Sequence, residues 1–345
     1  MAAVHYPPRV QRARRLGFGL GLCCLVRPGI LWAQPAWPPV NEAPHDAHVW
    51  LVRAQEAAVR RNYQGTLVVT AGGQVSASRL AHFTEGVLQA ERIEWLDGES
   101  RTLVRLNETV HTLWPKSRLA VVEARDPRAS FPQLLSAPDR RVLESYEWRL
   151  LGRDRVAGLE AEVALLRARD AWRFSQRLWS ERQTGLLLRA EVLGANGQVL
   201  ESVGFSELQL GIRPQIDALQ AQVRRLDGYR VARPVLLPVS LDAEGWQMAA
   251  LPSGFRELQC ARRVLGPVAD PQAPVVLQSI YTDGLTHVSL FIEPFRAERH
   301  QVRARPPTGA TGTLTLRRDS HWITLVGDVP EETLQRFAEA LTRRR

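Results

Sequence analysis

Residues 63–83 read Tyr63-Gln64-Gly65-Thr66-Leu67-Val68-Val69-Thr70-Ala71-Gly72-Gly73-Gln74-Val75-Ser76-Ala77-Ser78-Arg79-Leu80-Ala81-His82-Phe83. Two runs of strand-like residues flank Ala71-Gly72-Gly73, the kind of turn that supplies the positive φ a hairpin needs. The same period of two predicts strands over 63–71 and 75–83, then over 87–95, 101–106, 109–114 and 118–124. Asp97-Gly98 marks another hairpin turn. After an irregular stretch from Pro127 to Arg141, with an apolar knot at Phe131 to Leu135, strands resume over 161–168, 172–180, 186–194 and 198–210. Thr184-Gly185 and Asn196-Gly197 are their turns. Upstream, Asp46 suits a helix N-cap. Trp50, Leu51, Ala54, Ala57 and Ala58 follow at helical spacing, and the helix ends near Arg61-Asn62. About ten antiparallel strands behind one helix predict a mainly β, α+β architecture, with a large curved sheet or partly closed barrel over 46–212.

Residues 213–242 break the pattern with Pro214, Gly228, Pro234 and Pro238 and read as a linker. A smaller unit follows over 243–345, with strands near 255–264, 274–282, 286–293, 313–318 and 321–326. It closes with a helix from Pro330, whose apolar stripe is Leu334, Phe337, Ala338 and Leu341.

The chain has 345 residues, 45% hydrophobic and 23% charged, which excludes a mostly disordered protein. Its formal charge is +9, carried by 44 Arg and the single Lys116. Five of the arginines lie in the first 33 residues, where there is no acid, and without that segment the charge falls to +4. A nucleic-acid partner is therefore not expected. The segment has the form of an export signal. Arg9 to Arg15 form a basic flank, Leu16 to Val26 an eleven-residue apolar run, and Leu31-Trp32-Ala33 a cleavage site. The run falls well short of the roughly 20 residues that span a bilayer. A small residue is expected before a lipidated Cys, and here Leu22 precedes Cys23 and Cys23 precedes Cys24, which argues against lipidation. The mature chain, 34–345, keeps Cys260 alone, so neither an internal disulfide nor a thiolate metal site is expected. Burial as a small hydrophobe is its expected role.

Catalytic motifs are missing: there is no G-x-S-x-G, H-E-x-x-H or P-loop. His45 and His48 flank Asp46 at the start of the mature chain and read as solvated. His82, His111, His287 and His321 stand singly in strands. No catalytic residue, metal ligand or cofactor is expected. The tryptophans say more. Trp50, Trp95, Trp114, Trp148, Trp172 and Trp179 all fall before residue 213. An unclosed sheet must cover its concave face with a helix, its own side chains or a ligand. Two readings stay open, a Trp-rich core and a cavity for an acyl chain. The cavity candidates are Leu67, Val69, Trp95, Leu103, Trp114, Trp179 and Leu188, with the inward parity undetermined. Arg224 and Arg225 are candidates for contact with a partner's acids; a solvated pair is the alternative.

The chain resembles the RseB/MucB regulators of an envelope-stress sigma factor. The resemblance rests first on Asn62 to Thr66, Leu96-Asp97-Gly98, Phe131-Pro132, Tyr146, Arg155 to Gly158, Arg177-Leu178-Trp179 and Thr184 to Leu188. Beyond these it rests on Gly245-Trp246, Leu251 to Phe255, Tyr281 to Leu285, Val288 to Glu293, Gly309-Ala310 and His321 to Pro330. Order and spacing across 45–340 make the match specific. It implies a periplasmic protein of two domains, the larger like the lipoprotein carriers LolA and LolB, the smaller an α/β unit. It implies binding to the periplasmic part of a membrane-spanning anti-sigma factor, shielding it from proteolysis until lipid or lipopolysaccharide releases it. A lipid or lipoprotein carrier is the alternative, and an exported hydrolase a more distant one.

Overall fold

The computed structural model describes residues 46–124, 130–133, 140–264, 275–300 and 309–344. The signal segment expected over 1–33, His45 and Leu134-Leu135 lie outside the described residues.

Helix α1 (Ala47–Arg60) starts as the sequence predicts: the Asp46 carboxylate accepts the His48 backbone N–H at 2.9 Å. Six strands follow, β1 (Tyr63–Ala71), β2 (Gln74–Glu85), β3 (Leu88–Trp95), β4 (Thr102–Leu106), β5 (Thr109–Trp114) and β6 (Leu119–Ala124). A short helix α2 (Val142–Ser145) leads into β7 (Tyr146–Val156), β8 (Leu159–Ala168), β9 (Ser175–Glu181), β10 (Leu187–Leu193) and β11 (Val199–Leu210). Then come α3 (Ile216–Arg224), β12 (Arg230–Ala232) and β13 (Val235–Pro238). The remainder holds β14 (Trp246–Met248), β15 (Arg256–Val264), β16 (Val275–Thr282), β17 (His287–Pro294), β18 (Gly312–Arg318), β19 (His321–Gly327), α4 (Glu331–Ala340) and β20 (Leu341–Arg343).

The first sheet runs β12-β6-β5-β4-β3-β2-β1-β11-β10-β9-β8-β7. Its edges β12 and β7 do not pair, so the sheet stays open. Every pairing in it is antiparallel except the short parallel step between β12 and β6. One face, here the inner face, takes the α1 stripe. Trp50, Leu51 and Ala54 pack with Ala164, Leu166, Leu178 and Leu187. Ala57 and Ala58 pack with Tyr63, Leu67, Leu80, Leu186 and Phe205. The opposite face is covered in part by α3, whose Ile216 and Leu219 meet Phe83, Ala90 and Val104.

Strand β7 had no sequence signal. It is an edge strand carrying Arg149, Arg153, Asp154 and Arg155, and a register shift between Leu150 and Gly152 breaks its alternation. Charges and bulges are what edge strands use against unwanted pairing, and both erase the period of two.

The second sheet runs β13-β15-β16-β17-β19-β18. One face packs on α4: Val288, Leu290, Ile323 and Leu325 meet Leu334 and Phe337. Cys260 is buried in this cluster, and burial pushes its thiol up to about 12. The other face, carrying Gln278 and Ile280, turns toward the first sheet.

Residues 213–242 are more ordered than a linker. Helix α3 docks on the first sheet, β12 extends that sheet, and β13 adds to the second beside β15. Only Arg233 and Pro234 lie between the two sheets. Strands of three and four residues are too short for periodicity to reveal, which is why the stretch read as irregular.

Candidate functional site

Between the inner face of the first sheet and the free face of the second lies a cavity of about 530 Å³. Glu91, Ile93, Leu103, Arg105, Val110 and Thr112 wall it from β3, β4 and β5. Gln259, Arg263, Gln278, Ile280 and Val326 wall it from the second sheet. Its size falls in the ordinary range of ligand sites, about 300–1,000 Å³. At its floor the Tyr63 O–H donates to the Ala58 carbonyl at 3.0 Å and stacks on His82. Burial raises the Tyr63 phenol well above its ordinary value; Glu91 adds to the rise and Arg105 opposes it.

Register decides where the sequence candidates fall. Leu67 pairs with Ser78 and Ser78 with Trp95, while Leu103 pairs with Ile93 and Thr112. Leu67, Val69, Trp95, Leu103 and Trp114 therefore share the inner face. Leu67 is buried under α1, Leu103 lines the cavity, and Val69, Trp95 and Trp114 are half-buried beyond it. The Arg101 guanidinium lies 3.7 Å from the Trp95 ring centroid.

Trp179 and Leu188 are elsewhere. Trp179 alternates with Leu178, which takes the position under α1, so its indole points the other way. There its N–H donates to Asp154 at 2.9 Å, and the Arg177 and Arg189 guanidinia lie over its ring. Leu188 sits at a register shift in β10 and packs with Trp179, Ala161 and Val163. Neither lines the cavity. Arg224 and Arg225 are exposed at the end of α3, on the face away from the cavity.

Two sets of contacts missed by the sequence reading hold the sheets together. Near the Arg233-Pro234 crossing, Arg263 of β15 pairs with Glu123 of β6 at 2.5 Å. Elsewhere Arg173 and Asp283 form an ion pair at 2.6 Å, both side chains 0% exposed. The Tyr146 O–H donates to the same Asp283 oxygen at 3.0 Å. The other Asp283 oxygen accepts the Leu285 and Thr286 backbone N–H groups at 2.9 and 2.8 Å. Arg173 also reaches Asp170 at 2.9 Å and donates to the Ser253 carbonyl. Burial, then the Asp283 charge, raises the Tyr146 phenol well above its ordinary value. Leu285 completes the seam by packing into the Trp50 cluster. Partners 110 residues apart leave no local signature. The loop Tyr281 to Leu285 was singled out for resemblance alone.

A third contact is acidic. Glu201 of β11 accepts the Ala310 N–H beside Asp328. Gly309 permits the approach: its φ is +66°, and a Cβ there would lie 2.7 Å from the Ala71 Cβ. Burial raises the Glu201 pKa, Asp328 raises it further, and the Ala310 N–H opposes both. Folding therefore disfavours the charged form. That penalty is complete above the raised folded value and vanishes below the ordinary carboxylate range, so stability should rise as pH falls between the two. Glu201→Gln should flatten that part of a melting-temperature profile against pH. An unchanged slope would remove Glu201 as its source.

Among the described residues, no group of three His, Cys, Asp or Glu is placed to hold a metal ion. Comparison with known proteins agrees with the architecture. The family model described as the MucB/RseB N-terminal domain matches residues 46–223, and that of the MucB/RseB C-terminal domain matches 240–342. The chain is 31% identical over 321 residues to the sigma factor AlgU regulatory protein MucB of Pseudomonas aeruginosa, covering 90% of this chain and 93% of that protein. It is 27% identical over 247 residues to the sigma-E factor regulatory protein RseB of Escherichia coli K12, covering 71% of this chain and 74% of that one. A solved MucA/MucB complex of Pseudomonas aeruginosa matches with a TM-score of 0.65 at 29% identity, covering 87% of this chain and 100% of the solved one. A structure of MucB in complex with MucA(peri) matches with a TM-score of 0.64, at the same identity and coverage. With both of its halves matched in order, the chain belongs to the MucB/RseB family.

Proposed function

We propose that this protein is an exported, periplasmic regulator of an envelope-stress sigma factor. It binds the periplasmic segment of a membrane-spanning anti-sigma factor and shields that segment from proteolysis. The observation that carries this reading is the cavity walled by both sheets, in a chain whose two halves match the two family domains. A carrier of the LolA kind needs only the first sheet. Here the second sheet is pinned to it by buried contacts and supplies half of the cavity wall. Binding is expected to use both sheets. The test is capture from an envelope extract by the mature chain: recovery of a single-span anti-sigma factor supports the reading, and its absence from a capture that recovers other envelope proteins counts against it.

The release signal belongs to the same proposal. An acyl ligand, lipopolysaccharide or another anionic lipid, weakens partner binding. The half-buried Val69, Trp95 and Trp114 on the inner face support an apolar site beyond the cavity. The same residues favour a second reading, a periplasmic lipid or lipoprotein carrier. That reading expects lipid binding without any anti-sigma partner.

A further inference from the structure

Arg105 lines the cavity from β4 with a side chain only 6% exposed. Its Nη2 meets Glu91 at 3.3 Å, long for a charged pair. Its Nη1 is buried and finds no hydrogen-bond partner among the described residues. A buried N–H left unmet loses its hydration for nothing in return, so each such group in a native protein calls for an explanation. An occupant that brings an acceptor is one.

The chemistry of the wall says which occupant. Among the described residues, the charged lining groups are the guanidinia of Arg105 and Arg263 against the carboxylates of Glu91, Glu123 and Asp328, which sum to a formal −1. A carboxylate or phosphate entering this space would meet that excess at short range and reduced dielectric. Thr112, Gln259 and Gln278 supply neutral groups that both donate and accept. A polypeptide backbone, with one donor and one acceptor per residue, matches such a wall.

We propose that the cavity receives an extended, uncharged stretch of the anti-sigma segment, one of whose backbone carbonyls accepts from Arg105 Nη1. This rests on the function proposed above and assigns its contact site. It also places the anionic lipid elsewhere, outside the cavity.

The test uses the whole chain with MucA(peri) as probe. Arg105→Met together with Glu91→Gln removes the donor without stranding the buried carboxylate. The double variant should bind MucA(peri) about tenfold more weakly in a calorimetric titration. It should melt no lower than the parent, because an unmet donor and a buried charge pair have both gone. Weaker binding with undiminished stability separates a contact residue from a structural one. Should the double variant melt lower, Arg105→Lys takes its place. It keeps the charge and loses the fork, and it too should bind more weakly. Parent-like affinity in a folded variant overturns the proposal. So does loss of binding to phosphatidylglycerol vesicles with MucA(peri) binding intact, which would make the occupant a lipid. If the parent itself does not bind MucA(peri), the functional reading falls first and takes this one with it.

Discussion

Asp283→Ala should lower the unfolding free energy by about 3–5 kcal/mol, the range for removing one partner of a buried pair. Four groups lose their acceptor at once: the Arg173 guanidinium, the Tyr146 hydroxyl and the Leu285 and Thr286 backbone N–H groups. Arg173 keeps Asp170 and the Ser253 carbonyl but remains fully buried with its charge under-compensated. Chemical denaturation reads the loss. Arg173→Met with Asp283→Leu should recover only the part due to the stranded Arg173 charge, since the Tyr146 hydroxyl and the Leu285 and Thr286 N–H groups still lack their acceptor. That variant should also differ in the angle between the sheets, because apolar packing fixes orientation less sharply than a carboxylate that accepts at both of its oxygens. A loss below about 1 kcal/mol for Asp283→Ala, the scale of an exposed pair, would mean that this cluster does not hold the sheets together.

Anionic lipid should weaken binding of the anti-sigma segment by roughly 5–150-fold, the span of ordinary allosteric coupling of about 1–3 kcal/mol. The effect must be reciprocal, with the segment weakening lipid binding by the same factor. It also requires the lipid to prefer the arrangement of the sheets that does not hold the segment; equal affinity for both would release nothing. The seam offers a physical route, since the sheets are joined covalently by Arg233-Pro234 alone and otherwise by contacts that can break. Titration of the segment with and without lipopolysaccharide below its aggregation point measures the coupling. Trp95→Ala, on the inner face, should reduce the lipid response more than the affinity for the segment. Trp179→Ala, on the other face and engaged by Asp154, Arg177 and Arg189, serves as the control. An unchanged dissociation constant, with lipid binding shown independently, would leave a shield without a lipid sensor.

The first sheet was legible because most of its strands alternate and because Gly72, Gly73, Gly98, Gly185 and Gly197 stand between strands. Helix α1 was legible through Asp46 and its apolar stripe. What failed to show was of two kinds. Strands β7, β12 and β13 lie at sheet edges, where charge, bulges or brevity remove the signal. The seam residues Arg173, Asp283, Glu123 and Arg263 are ordinary charges until the fold brings them together. The candidate face divided for the same reason. Leu67, Val69, Trp95, Leu103 and Trp114 keep one parity across register that hairpin turns determine. Trp179 belongs to the opposite parity, and Leu188 sits at a bulge that no pattern announces. Arg105 looked like any strand arginine, because an unmet N–H is a property of its surroundings.

In the proposed function both sheets grip the anti-sigma segment together. Hydrogen exchange of the whole chain, free and saturated with the captured segment, distinguishes that grip from binding by one sheet. The expected result is slowed exchange in β3 to β5 of the first sheet and in β15 and β16 of the second, rising at the same segment concentration. Protection confined to one sheet, with the other exchanging as in the free protein, would contradict it.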